Sequence, residues 1–269
     1  MPLYHIVILA IIQGLTEFLP VSSSGHLVLT HHLLGQSTTD LCWETNRMMD
    51  VAVHVGTLLS VLLYFRKDLL LMTQGAFQKN KEGSLLFKNI LIASIPVIIA
   101  GYVLHHYQPS LLCMLEVMAW MTLIFGIVLF IADKFKTDQL IKNMNTKNAF
   151  IIGLSQTLAL IPGVSRSGIT MTSARFLGFS RVEAAKFSLL LSIIAISGAG
   201  ALSGLQLFET DNINLGFDIL TAVLLSFISG YIAIVLMMKW LSKSSFTPFA
   251  IYRVILGIAL LILIYGEFI

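Results

Sequence analysis

The same polar interruption occurs twice in this chain. Residues 13–35 read QGLTEFLPVSSSGHLVLTHHLLG and residues 156–178 read QTLALIPGVSRSGITMTSARFLG. Laid over each other without a gap, they coincide at Gln13/Gln156, Leu15/Leu158, Val21/Val164, Ser22/Ser165, Ser24/Ser167, Gly25/Gly168, Leu34/Leu177 and Gly35/Gly178. Each sets a Pro and a Ser/Gly-rich turn between two apolar runs. The chain around them is 57% apolar and only 12% charged, with mean hydropathy +0.87. Soluble domains carry about 25% charged residues, so this composition belongs to an integral membrane protein. A polar turn is costly at membrane depth unless it has work to do, which makes the two turns the candidate site.

A membrane-crossing helix needs about 20 mostly apolar residues. Six segments meet that length: about 49–66, 86–105, 111–132, 183–205, 216–238 and 248–267. The helices expected on either side of each polar turn are only about 10 to 16 residues long, which suits a re-entrant hairpin that dips into the membrane and returns. The expected fold is therefore all-α, one membrane domain of six transmembrane helices plus two re-entrant hairpins. Each half, about 1–140 and 147–269, holds one hairpin and three spans. Three is odd, so the second hairpin enters from the opposite face, giving an inverted-topology repeat with two broken elements meeting near the midplane.

The charges give an independent reading of sidedness. With the N-terminus and the loop 36–48 on one side, the other side receives Arg66, Lys67, Lys79, Lys81, Lys88, Lys134, Lys136, Lys142, Lys147, Arg175, Arg181, Lys186, Lys239, Lys243 and Arg253. The first side keeps Arg47, and the loops 106–110 and 206–215 contain no Lys or Arg. The positive-inside rule makes the basic side cytoplasmic, with both termini outside. No cleavable signal peptide is expected, because no basic n-region precedes the first apolar run. Cys42 and Cys113 are too few for a disulfide framework or a CxxC metal site and read as packing residues.

The residue types in the turns point to phosphate. Arg166 offers a fork of donors matched to phosphate oxygens and stays charged. Gly163 and Gly168 are expected to let the backbone turn, and the helix that follows would aim free N–H groups at an anion. Ser165, Ser167 and Thr170 add hydroxyls. The first turn complements this with a candidate base, Glu17, a candidate nucleophile or acid, His26, and a hydroxyl nucleophile candidate, Ser23. Gln13, Ser22 and His54 are candidate supporting residues; His54 follows Asp50 by four positions, on one helical face.

Purely structural alternatives compete at several positions. Glu17 and Arg166 could form an intramembrane ion pair, and Ser22 and Ser24 could cap or pack helices. Gln13 and Gln156 are expected to hydrogen-bond across the repeat, or either could touch ligand. His31, His32, His105 and His106 read as interfacial, and Glu183 is expected to pair with Lys186 one turn on.

Four stretches carry a resemblance: QGLTEFLPVSSSGH at 13–26, DVAVHVGTLLSVLLYFRKDL at 50–69, PGVSRSGIT at 162–170 and FTPFAIYRVILG at 246–257. In this order, spread over nearly the whole chain, they resemble the bacterial undecaprenyl-diphosphate phosphatases, also called bacitracin resistance proteins. The resemblance implies six spans with two re-entrant hairpins, and hydrolysis of undecaprenyl diphosphate to the monophosphate carrier of cell-wall precursors. It implies roles for Glu17, Ser23 and His26 in the first motif, and for Ser165, Arg166 and Thr170 as phosphate-binding residues in the second. It also implies a divalent cation, Mg²⁺ or Ca²⁺, on the acidic residues of the first motif. Here Gln13 stands where that motif often has Glu, leaving Glu17 as the one acidic metal ligand.

The expected partners are a polyisoprenyl diphosphate lipid and the membrane, with no nucleic acid; a homodimer is compatible with the sequence. The expected location is the bacterial inner membrane, with the site opening to the outer face. Attack could come from His26, from Ser23 or from water activated by Glu17, and the sequence does not choose among them. The competing function is transport, a flippase or carrier of the lipid phosphate, because broken elements at the midplane are also the plan of secondary transporters.

Overall fold

The computed structural model describes residues 2–33, 47–77, 80–107, 112, 114–135, 138–208 and 216–266. The loops 36–48 and 206–215, apart from their helical ends, and Cys42 and Cys113 lie outside the described residues, as do the side chains of His32, Asp50 and His105.

The described residues form eleven α-helices: α1 (Leu3–Phe18), α2 (Ser23–Leu33), α3 (Arg47–Tyr64), α4 (Arg66–Ala76), α5 (Lys81–Tyr107), α6 (Leu115–Asp133), α7 (Thr146–Gln156), α8 (Arg166–Phe176), α9 (Arg181–Phe208), α10 (Gly216–Leu241) and α11 (Thr247–Tyr265). Four are long and apolar enough to cross a membrane: Lys81–Leu104 within α5, then α6, α10 and α11. These match four of the six expected spans to within a few residues. The expected span at 49–66 corresponds to α3, whose apolar part, Val51–Tyr64, is shorter. The chain breaks at Phe65 and restarts as α4, a helix that the apolar pattern does not announce. The span expected at 183–205 lies within α9, 28 residues long.

Both polar turns interrupt a helix in the same way. The residue before a proline is pushed out of the helical region. Leu19, before Pro20, has φ −67°, ψ 143° and ends α1. Ile161, before Pro162, has φ −83°, ψ 120° and ends the short 3₁₀ turn Thr157–Leu160 that extends α7. The helices flanking the turns are 16, 11, 11 and 11 residues long, within the length expected for half-membrane elements.

Packing is crossed between the halves. α1 of the first hairpin lies against α10, and α7 of the second lies against α5; α3 pairs with α9, and α6 with α11. Glycines permit the closest crossings. A Cβ on Gly14 of α1 would stand 2.7 Å from the Ser226 carbonyl oxygen and 2.8 Å from the Gly230 nitrogen of α10. One on Gly153 of α7 would stand 2.3 Å from the Ala93 carbonyl oxygen of α5. Close backbone approach through small residues is how helices associate where lipid offers no hydrophobic drive.

Several expected positions are corrected by this packing. Lys186 pairs with Asp68 at 2.5 Å, while Glu183 caps the segment 141–143 by accepting from the Ile141 N–H at 3.1 Å, so Glu183 and Lys186 do not pair. His31 is buried within the protein, whereas His106 is exposed. Two of the basic residues assigned to the cytoplasmic surface, Arg175 and Arg253, are buried and donate to backbone carbonyls: Arg175 to Phe179 and Phe135, Arg253 to Gly163 and Val164. The charge asymmetry does not depend on them.

Gly14→Ala forces α1 off the α10 backbone. Overpacking of this kind costs about 1–3 kcal/mol, so thermal unfolding in detergent is expected to fall by about 3–10 °C. Gly101→Ala, whose Cβ would meet only a Leu160 methyl at 3.9 Å, is expected to unfold with the parent.

Candidate functional site

The two turns share a backbone conformation that side chains rarely adopt. Ser22 has φ 72° and Ser165 has φ 69°, the only positive φ values at non-glycine positions among the described residues. Each starts a helix, and each faces the serine two residues on across 3.2 Å between hydroxyl oxygens, Ser22 to Ser24 and Ser165 to Ser167. Ser165 is also the N-cap of α8, its Oγ accepting from the Gly168 N–H at 3.2 Å. Left-handed backbone at a non-glycine residue costs of order 1–3 kcal/mol and persists where the surroundings fix it. Here a buried serine hydroxyl at each helix start does the fixing.

Hairpin meets hairpin through charge. Arg166 at the start of α8 donates from Nη2 to Glu17 Oε1 at 2.6 Å, and from Nη1 to the Ser192 carbonyl of α9 at 3.2 Å. The other Glu17 oxygen accepts from Gln13 Nε2 at 2.7 Å and from Ser23 Oγ at 3.0 Å. Gln13 Nε2 also lies 3.2 Å from His54 Nε2, which brings α3 into the cluster. Ser167 Oγ donates to the Leu19 carbonyl at 2.9 Å, closing the end of α1 with a residue of the second hairpin. Glu17, Ser23, Arg166, Gln13 and His54 thus form one connected group.

Other expected residues sit at its edges. Thr170 Oγ1 lies 2.7 Å from Ser188 Oγ and donates to the Arg166 carbonyl at 2.8 Å, so it braces α8 against α9. His26 Nδ1 lies 2.7 Å from the Ser22 carbonyl and its Nε2 2.5 Å from the Tyr252 hydroxyl. A carbonyl only accepts, so Nδ1 carries the proton and Nε2 accepts from Tyr252. Gly163 turns the chain at φ +92° as expected, but Gly168 lies inside α8 with ordinary helical backbone. Its requirement is space, since a Cβ there would stand 2.5 Å from Arg253 Nη1. Gln13 and Gln156 do not bond across the repeat: Gln13 serves Glu17, and both amide atoms of Gln156 are buried without a hydrogen-bond partner.

Arg253 and Tyr252 of α11 join the site without having been singled out for it by sequence. Arg253 is 0% exposed. Its Nη2 donates to the Gly163 and Val164 carbonyls at 2.8 and 2.9 Å, and its Nε to the Thr122 carbonyl at 3.4 Å. It therefore holds the second turn from behind. The available signal was an Arg well inside an apolar span, which defaults to a functional or pairing role.

The comparisons with known proteins bear on this arrangement. The family model for bacitracin resistance protein BacA matches residues 6–259, which include both turns and α11 through Arg253. The chain belongs to the BacA family. Among its relatives are proteins named undecaprenyl-diphosphatase from Hahella chejuensis, 45% identical over 97% of this chain and 98% of that protein, and from Roseobacter denitrificans, 43% identical over 99% and 100%. One from Campylobacter curvus is 43% identical over 97% and 98%. The family and the long apolar helices make this BacA-family chain a multi-pass membrane protein.

The donor set bears on the expected divalent cation. Among the described residues no three His, Cys, Asp or Glu side chains converge on one point. Gln13 Oε1, however, is buried without a hydrogen-bond partner on the turn of α1 that carries Glu17. A carboxylate and a free amide oxygen are hard donors of the kind Mg²⁺ and Ca²⁺ take, with the remaining ligands left to substrate and water.

Replacing Arg253 by Met in this BacA-family protein takes the donor from the Val164 carbonyl and one of two side-chain donors from the Gly163 carbonyl. At about 1–3 kcal/mol for an unsatisfied buried group, the variant is expected to unfold about 3–6 °C below the parent in detergent. Arg253→Lys, whose single nitrogen has no second donor group for the Thr122 carbonyl that Nε serves, is expected to recover only part of that loss.

Proposed function

We propose that this protein hydrolyses undecaprenyl diphosphate to undecaprenyl phosphate and inorganic phosphate. The observation that carries the reading is the line Ser23–Glu17–Arg166: a hydroxyl, a carboxylate that accepts its proton, and a guanidinium from the opposing hairpin on the same carboxylate. The relatives' printed name, undecaprenyl-diphosphatase, supplies the substrate.

In this reading the diphosphate enters between the hairpins. Arg166 has five N–H donors and uses two of them on protein, which leaves three for phosphate oxygens. Ser23 Oγ attacks the terminal phosphorus while Glu17 takes its proton. The bond to the bridging oxygen breaks, and the electron pair leaves with the lipid monophosphate. Water then attacks the phosphoserine, phosphate departs, and the serine oxygen recovers a proton from Glu17. The largest contribution is electrostatic, from Arg166 and the N–H groups at the start of α8. His26 fits the nucleophile's role less well, because its hydrogen bonds run to the Ser22 carbonyl and Tyr252 and neither to Glu17 nor to Arg166. Glu17 and Gln13 Oε1 would hold a divalent cation, which when bound adds positive charge beside the diphosphate.

The same reading extends to the layout. The crossed packing of α1 on α10 and α7 on α5, with α3 on α9 and α6 on α11, supports two repeats, about 1–140 and 147–269, of one membrane domain in inverted topology. With α3 and α9 counted as spans there are six, and α1–α2 and α7–α8 are re-entrant hairpins. The basic loops would face the cytoplasm, both termini the outside, and the first hairpin would open the site to the outer face of the bacterial inner membrane.

Phosphate release from undecaprenyl diphosphate by purified protein in detergent tests the reading, since no second compartment exists there for a carrier to serve. Arg166→Ala, Glu17→Gln and Ser23→Ala are each expected to lower turnover about 10²-fold or more, and a reaction quenched in SDS at neutral pH, where phosphoserine and phosphohistidine both survive, should carry label on Ser23. Normal turnover by Ser23→Ala, or label on His26, would overturn the assignment of the nucleophile; binding without release would overturn the hydrolase.

A further inference from the structure

The contact between Tyr252 and His26 lies on a boundary. Tyr252 is 44% exposed, yet its hydroxyl reaches His26 Nε2 and the two rings lie nearly parallel, 10° apart with centroids 5.6 Å apart. On α11 the residue stands between two faces. Ala250, Arg253, Gly257 and Leu260 are buried, whereas Ile251, Ile255, Ile258 and Ile262 are exposed in a stripe of i, i+3 and i+4 spacing. An exposed apolar stripe on a spanning helix is a surface for lipid.

The second turn packs tightly on α6: Gly163, just before α8, lies so close that a Cβ would be 2.2 Å from the Met118 carbonyl oxygen, and Thr122 Oγ1 lies 3.4 Å from the Gly163 carbonyl. Between α2 and α11 the polar link among the described residues is the Tyr252 hydroxyl on His26. Ser22, whose carbonyl holds His26, adjoins Ser23, so the seam leads directly to the reactive group.

We propose that Tyr252 forms a lateral portal between α2 and α11, through which a long-chain polyprenyl diphosphate passes from the membrane into the site. The head group displaces the Tyr252 hydroxyl from His26, and the first isoprene units lie on the Tyr252 ring and Ile255. This rests on the hydrolase reading above and adds the route and the chain-length selection. An aromatic ring takes an unsaturated hydrocarbon on its face at no polar cost, because the phenol oxygen stays on the site side.

The test compares undecaprenyl diphosphate with methyl diphosphate, a short substrate that carries the same head group and no isoprene unit to lie on the portal, using full-length protein in detergent. Tyr252→Ala is expected to raise KM for the long substrate about fivefold to tenfold more than it changes KM for the short one. Ile255→Trp, on the lipid face and remote from the folding core, is expected to shift the long substrate alone in the same direction. Tyr252→Phe, which keeps the ring, should preserve the parent's ratio of the two KM values. An equal fall in kcat for both substrates with unchanged KM in Tyr252→Ala would show that the residue only orients His26, and would overturn the portal. Parental KM values for both substrates in Tyr252→Ala and Ile255→Trp would overturn it as well. Failure of the parent protein to release phosphate from either substrate would instead overturn the hydrolase reading beneath it.

Discussion

The ion pair between Glu17 and Arg166 is the interaction on which the rest of this structure depends. Each charge alone would cost several kcal/mol in an apolar interior, and each sits at the tip of a hairpin too short to satisfy it. Together, at 2.6 Å, they neutralise one another and join two elements 149 positions apart in the chain. The pair is not sealed. The carboxylate is shared with Ser23 and Gln13, and the guanidinium with a backbone carbonyl, so either partner can turn to a ligand without being left bare. A pair buried only for stability would gain from replacement by apolar residues. One that must exchange partners cannot be so replaced.

Around that pair the scaffold fixes the backbone of both turns. The strained serines at the two turns hold helix starts toward each other, and Ser167 closes the end of α1 from the opposite hairpin. Arg253 anchors the second turn from behind by its carbonyls, and this accounts for Gly168, where any side chain would collide with the guanidinium. Gly14 and Gly153 let the hairpins lie against α10 and α5 at backbone distance. The site is thus a consequence of where glycine was kept and where serine took its place at positive φ.

Much of this was legible in the sequence because lipid imposes strong rules. Apolar length located α5, α6, α10 and α11, and proline placed the ends of α1 and of the α7 extension through the residue before it. That Glu17, Ser23 and Arg166 would meet could be anticipated because polar groups are few in so apolar a chain. What failed to show were contacts that depend on rotation about a helix. Nothing in the periodicity of 248–267 says that Arg253 turns inward to a carbonyl while Tyr252, one residue earlier, stands at the edge of the lipid face. The break at Phe65 was hidden because Tyr64 and Phe65 continue the apolar run into a charged segment with no proline or glycine to mark the change. Glu183 and Lys186 had the right spacing to pair, and tertiary partners, the Ile141 N–H and Asp68, took both.

The charge balance of the site follows from the divergence of the two hairpins. The gap-free correspondence places Leu160 on Glu17, Arg166 on Ser23 and Ile169 on His26. The first hairpin therefore holds the acid and the imidazole without a guanidinium, and the second holds the guanidinium with apolar residues in place of both. Glu17 is the one carboxylate in the connected group, and Arg166 cancels it. Arg253, fully buried, has carbonyls for partners and no carboxylate among its hydrogen bonds, so these three side chains together carry a net positive charge. An apolar interior disfavours an uncompensated cation. The same excess charge favours an anion beside it, and two identical serine turns would have had neither property.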